Sequence, residues 1–227
     1  MVAASPPMRS FLRDNGLTLV LLMLFLVSLG GQVFTGLGLV NEERADHGLA
    51  LIGLAQFLRS GQFLSTLFEN WESEFLQMWA YVTLTAFLFQ RGSPESKDSD
   101  ERAPQDRDPA LDAGRPEAPW PVRAGGWIRG LYAQSLGLAL AALFVVSFGL
   151  HAEHSARLAA EEARMHHQPP PGVWEHLAGP GFWFESFQNW QSEFLSTAVL
   201  VVLAIVLRQR GSPESKPVGA PHGQTGA

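Results

Sequence analysis

Asn70, Glu74, Gln77, Tyr81 and Thr85 recur at spacings of 4, 3, 4 and 4 residues, which aligns them along one face of an α-helix. Trp71, Phe75, Trp79, Val82 and Ala86 take the opposite side, where lipid is expected. The stripe starts again 119 residues later as Asn189, Glu193 and Ser196 and then stops at Leu200. A weaker stripe, Ser28, Gln32 and Thr35, is answered at the same offset by Ser147, His151 and His154. Polar groups inside apolar helices face partners or a wet cavity, because lipid cannot hydrogen-bond them. An outer polar pocket is therefore expected, lined by Asn70, Glu74, Asn189, Glu193, Gln32, His151 and His154. Two carboxylates brought together repel, so one keeps a proton or both share a cation. His151 and His154 would add nitrogen ligands, but the position matching His151 is Gln32, which argues against a metal centre. In the preferred structural alternative, Glu74 and Glu193 bond to Asn70, Asn189 or indole N–H groups and hold helices together. No catalytic residue, cofactor or metal site is assigned. His166-His167 reads as a solvated pair.

These residues sit in a repeat. Phe68-Glu-Asn-Trp-Glu-Ser-Glu-Phe-Leu76 returns as Phe187-Gln-Asn-Trp-Gln-Ser-Glu-Phe-Leu195, and 18 of the 30 positions from Phe68 to Lys97 match those from Phe187 to Lys216 without a gap. Both stretches end in Gln-Arg-Gly-Ser-Pro-Glu-Ser-Lys, where Gly followed by Ser-Pro stops a helix. Further upstream, Leu24-Phe25, Val27-Ser28 and Gly30 match Leu143-Phe144, Val146-Ser147 and Gly149. The repeat argues against a cleaved signal over the first apolar run, since a signal would not recur mid-chain.

The expected architecture is an all-α membrane protein with four transmembrane helices, arranged as two tandem, parallel-repeat hairpins. Residues 1–97 form the first two-helix repeat, with spans at about 17–40 and 71–90. Residues 125–210 form the second, with spans at about 131–150 and 190–207. Each run matches a hydrocarbon core of roughly 30 Å. Ala50–Leu58 suits a short interfacial helix ended by Gly61, and the following helix is expected from near Ser65. His166-His167-Gln168 and Pro169 to Pro171 should break the third helix after Met165. The Pro-rich, mixed-charge stretch 98–124 is expected to be a disordered linker, and 211–227 a disordered tail.

Charge gives orientation and exclusions. The N-terminal arm, linker and tail hold 12 of the 16 basic residues, so both termini are expected in the cytoplasm. The outer connections are acidic and hold six of the seven histidines. A formal net charge of −6 excludes a globally basic nucleic-acid binder. The chain has no cysteine, which excludes disulfides and thiol nucleophiles. There is no H-E-x-x-H, G-x-S-x-G, phosphate loop or dinucleotide fingerprint.

The tandem F-E-N-W-E-S-E-F-L and F-Q-N-W-Q-S-E-F-L motifs with their Q-R-G-S-P-E-S-K endings resemble a family of small bacterial membrane proteins known as a domain of unknown function. The resemblance implies a bacterial inner-membrane location. It implies no activity, cofactor or catalytic residue. The sequence thus points to a non-enzymatic structural or interaction bundle with an acidic outer face, its constant partner being the lipid bilayer. The alternative is a cation- or proton-conducting protein using Glu74 and Glu193, which at four helices per chain would call for a homo-oligomer. An intramembrane enzyme is a more distant alternative.

Overall fold

The Leu-rich run after Asn15 and the Gly-rich run that follows it fold as one long helix, α1 (Pro7–Asp46), of 40 residues. At 1.5 Å per residue it is about 60 Å long, twice a hydrocarbon core. The computed structural model describes residues 7–226, with side chains from Ser10 onward. The first six residues of the N-terminal arm and Ala227 of the tail lie outside the described residues. All described regular structure is helical. The chain divides into two units, residues 1–64 and 65–227.

In the first unit, the chain leaves α1 through Gly48 at φ 67° and turns back. Asn41 fastens the return: its amide accepts from Ile52 N–H at 2.8 Å and donates to Ile52 O at 3.1 Å. Arg44 Nε adds a bond to Ala50 O at 2.7 Å. The short interfacial helix is a single turn, α2 (Leu54–Phe57). Its Phe57, 2% exposed, lies against Gly36, and its ring stands 5.3 Å from that of Phe63. Ser60 Oγ accepts from Phe63 N–H at 3.2 Å, as an N-cap does. Consequently α3 (Gly61–Leu84) opens at Gly61, four residues before the expected start.

The helix α3 stops at Leu84 rather than running on to Gln90. Thr85 turns its hydroxyl back onto the carbonyls of Tyr81 and Val82, at 2.8 and 3.2 Å, and a turn follows. After the turn the second unit continues through the linker. That stretch, expected to be disordered, carries single 3₁₀ turns at Pro104–Asp106 and Pro109–Asp112. Next come α4 (Trp120–Ala124), α5 (Gly126–Ala133) and α6 (Ser135–Met165). The break after Met165 falls where expected, with His167 at φ 56° and Gln168 N–H bonded to Ala163 O at 2.7 Å. Two helices complete the order, α7 (Val173–Ala178) and α8 (Pro180–Val206), and α7 packs on both α6 and α8.

Among the described residues, three helices are long and apolar enough to cross a membrane, in α1, α6 and α8. In α3, Glu69, Glu72 and Glu74 fall in every window long enough to span a bilayer. Large apolar side chains are exposed along the three apolar helices, including Leu21, Leu24, Val145, Val146, Leu200 and Val202, as a lipid-facing surface requires.

The two Gln-Arg-Gly-Ser-Pro-Glu-Ser-Lys segments fold as the same turn. Gly92 and Gly211 each sit at φ 86°, a region that strains any residue with a Cβ. Ser96 and Ser215 hydroxyls each accept from the N–H of Gln90 and Gln209 at 2.9 Å. Ser93 and Ser212 hydroxyls each accept from Glu95 and Glu214 N–H at 3.2 Å. The serines of the repeated motif are thus backbone caps. The tail, expected to be disordered, folds against the first of these turns. Lys216, 1% exposed, donates to the carbonyls of Gly92, His222 and Gln224 at 2.5, 2.8 and 3.0 Å. Thr225 Oγ1 accepts from Gly92 N–H, and Gly226 N–H donates to Ser93 O.

Candidate functional site

Glu72 and His151 are both fully buried. Two such groups persist in an apolar interior only if they satisfy each other. His151 Nδ1 donates to Glu72 Oε2 at 2.9 Å, since a carboxylate can only accept. Trp190 Nε1 donates to Glu72 Oε1 at 3.1 Å. One carboxylate therefore ties α3 to α6 and α8. The Phe182 ring, fully buried, stands 4.9 Å from the imidazole and closes the site off.

On the other side of the imidazole, Nε2 has no hydrogen-bond partner. It lies 3.6 Å from Glu185 Oε2, beyond hydrogen-bond range. Glu69 completes the group: one ligand atom each from Glu69, His151 and Glu185 lie within 4.8 Å of one another. Each carboxylate is held from behind. Asn189 Nδ2 donates to Glu69 Oε1. Ser155 Oγ donates to Glu185 Oε2 at 3.2 Å and accepts from His176 Nε2 at 2.7 Å. Burial holds His176, on α7, below the usual imidazole range, and His151 pushes the same way, against the charges of Glu185 and Glu162. The Ser155–His176 contact has the length of a nucleophile–base pair, but the serine proton is committed to Glu185, so the arrangement does not free a nucleophile.

The residues marked in the sequence divide. His151 and Asn189 fall within the cluster. His154 is buried one turn on and stacks on Phe68 at 6.0 Å between ring centres. Asn70 is exposed and bonds its own helix at Thr66 O. Glu74 is exposed and Glu193 half-buried, close enough for their charges to repel. Gln32 lies half-buried in the first unit. Further down the expected stripe, Gln77 Nε2 donates to Thr197 Oγ1 at 2.6 Å, and Tyr81 donates to Glu95 Oε2 at 2.7 Å. Sequence reasoning missed Glu69, Glu72, Glu185, Ser155 and His176. A signal was present: at an offset of 119 these positions pair with Gln188, Gln191, Thr66, Gly36 and Phe57. The cluster is built where the repeated segments exchange a neutral residue for a polar or ionisable one.

A family model described as Domain of unknown function (DUF6766) matches residues 8–227. No curated protein and no solved structure matches the chain.

Proposed function

Since the chain belongs to that family of unknown function, DUF6766, we propose from its own physics that it is a non-enzymatic, multi-pass protein of the bacterial cytoplasmic membrane. In this reading it is a helical scaffold with both termini in the cytoplasm and an acidic outer face presented to partners. Its spans form two parallel hairpins, with α3 the fourth and most polar crossing. The observation that carries the reading is the buried Glu72 carboxylate, shared between His151 and Trp190. It uses two fully buried ionisable groups to join three helices, which is what interhelical polar contacts do in a bilayer. The skew of basic residues supports the orientation.

The absence of cysteine makes a clean test. Single cysteines at Ser99, Gln168 and Val218 are probed with a membrane-impermeant maleimide on intact spheroplasts. Gln168→Cys should label from outside, and the other two only after lysis. Labelling of Ser99→Cys in intact cells would sink the topology. Conduction through Glu74 and Glu193 is favoured by one observation, the proximity of their charges. It predicts a cation or proton flux into liposomes that Glu193→Gln abolishes. The Gln77–Thr197 bond, in which two polar groups of that path satisfy each other, supports the scaffold instead.

A further inference from the structure

We propose that Glu69, His151 and Glu185 form a binding site for a divalent transition-metal cation, with Glu72 as the residue that orients the histidine. The proposal does not depend on the scaffold reading. Its first support is the buried Nε2 of His151, which has no partner and points at Glu185. With Nδ1–H given to Glu72, the partnerless Nε2 is the nitrogen available to a metal, which binds there by displacing any proton it carries. A histidine that donates its far nitrogen to a carboxylate is a recurrent outer-sphere arrangement at metal sites.

The second support is that each ligand has its own positioning partner. Glu72 holds His151, Asn189 holds Glu69 and Ser155 holds Glu185. Electrostatics points the same way. Three carboxylates converge on one imidazole, while Arg157, the next basic residue along α6, is paired with Glu153. A divalent cation offsets that excess. One nitrogen and two carboxylate oxygens, with open positions for water, suit Zn²⁺, Mn²⁺ or Fe²⁺ better than Mg²⁺ or Ca²⁺, which prefer oxygen alone. The Glu185 side chain is 43% exposed, which leaves the ion a route in from the surface.

The repeat supplies the variants, since each replacement already occupies the matching position 119 residues away. They are His151→Gln, Glu69→Gln, Glu185→Thr and Glu72→Gln. The full chain is purified in detergent and stripped with chelator. It is then titrated with Zn²⁺ by calorimetry and with Co²⁺ by visible absorption, with Mg²⁺ as control. Wild type should bind one Zn²⁺ per chain and give a Co²⁺ spectrum. Glu72→Gln should weaken binding roughly 10–100-fold, and the three ligand variants by more than that. His166→Ala/His167→Ala should leave binding unchanged. Glu185→Thr, at a half-exposed position, covers the case in which His151→Gln does not fold. The proposal is overturned if wild type binds no Zn²⁺, if binding survives both Glu69→Gln and Glu185→Thr, or if it is lost with His166 and His167.

Discussion

Two places 119 residues apart have the same construction and opposite chemistry. In the first, Phe57 presses on Gly36 of the long helix and its ring lies 5.3 Å from Phe63. In the second, His176 meets Ser155 of the long helix and its ring lies 5.9 Å from Phe182. A short helix, a long helix and a phenylalanine meet in both. The first is apolar, and it is closed by contact alone. The second has polar atoms at the same points, and they feed the chain that ends on Glu185. The difference teaches that the helix geometry does not require the buried charges. One version of the corner is filled with hydrocarbon; the other accommodates Glu72 and His151 only because every side-chain polar atom of that pair except His151 Nε2 has a partner.

The largest expected effect separates the carboxylate from its neutral match. Glu72→Ala leaves His151 and Trp190 unpaired in the interior and should cost about 3–5 kcal/mol of stability. Gln191→Ala, at an exposed position bonded only to its own helix, should change nothing measurable. Denaturant unfolding in detergent reads both, and equal effects would break the comparison. Next come the two turn glycines. Both Gly92→Ala and Gly211→Ala carry the left-handed strain of about 1–2 kcal/mol. Only at Gly92 would the new Cβ also meet a backbone atom, His222 O, at 2.8 Å, so that variant should melt at a clearly lower temperature.

A third test exchanges the corners. A Cβ at position 36 would lie 2.7 Å from the Phe57 ring, so Gly36→Ser should cost about 1–3 kcal/mol by overpacking. Phe57→His, which shortens the ring and offers the hydroxyl a partner, should recover part of it. Two singles that simply add would show that the corners are not equivalent. A smaller effect concerns pH. The neutral form of His176 is favoured in the folded chain, so the unfolded chain binds its proton first as pH falls. Stability from this group is complete above about pH 6.5 and is lost below it. His176→Phe should flatten that acid limb in melting curves from pH 8 to 5. The smallest effect is expected at Glu95. Burial and Glu214 raise its carboxyl, with the Tyr81 bond opposing. A raised acid contributes most below about pH 4.3 and loses that contribution as pH rises. Glu95→Gln should therefore raise the melting temperature at neutral pH and give no gain in acid.

The helices were legible because apolar runs and breakers are local signals. The stop after Met165 follows from His166 to Pro171, and the end of α8 lies one residue from the expected 207. The end of α3 was not legible, because no glycine or proline marks it before Gly92. The site was legible only in part. Periodicity put Glu74 on a polar stripe with Asn70, but Glu69, Glu72 and Glu74 spread over more than one face of the helix. Which face is covered depends on α6 and α8, far along the chain. His151 stood out because an ionisable group in an apolar helix needs a partner. Its partner, Glu72, lay in the very motif that marks the repeat, on the wrong stripe. The tail was unreadable for a related reason: composition says that residues 217–226 cannot make a core, and they make none. They supply carbonyls to one ammonium.

That ammonium cage sets an order of events during synthesis. Gly92 and Thr225, bonded through backbone and hydroxyl, are 133 residues apart. At about 5–20 residues per second, the ribosome delivers the second group roughly 7–27 s after the first. For that interval the first turn has its serine caps but not its closure, and water must serve the Gly92 carbonyl in place of Lys216. The turn that ends the earlier repeat is thus finished by the tail of the later one. A stalled or truncated nascent chain would leave that turn open, its Gly92 carbonyl without the Lys216 ammonium.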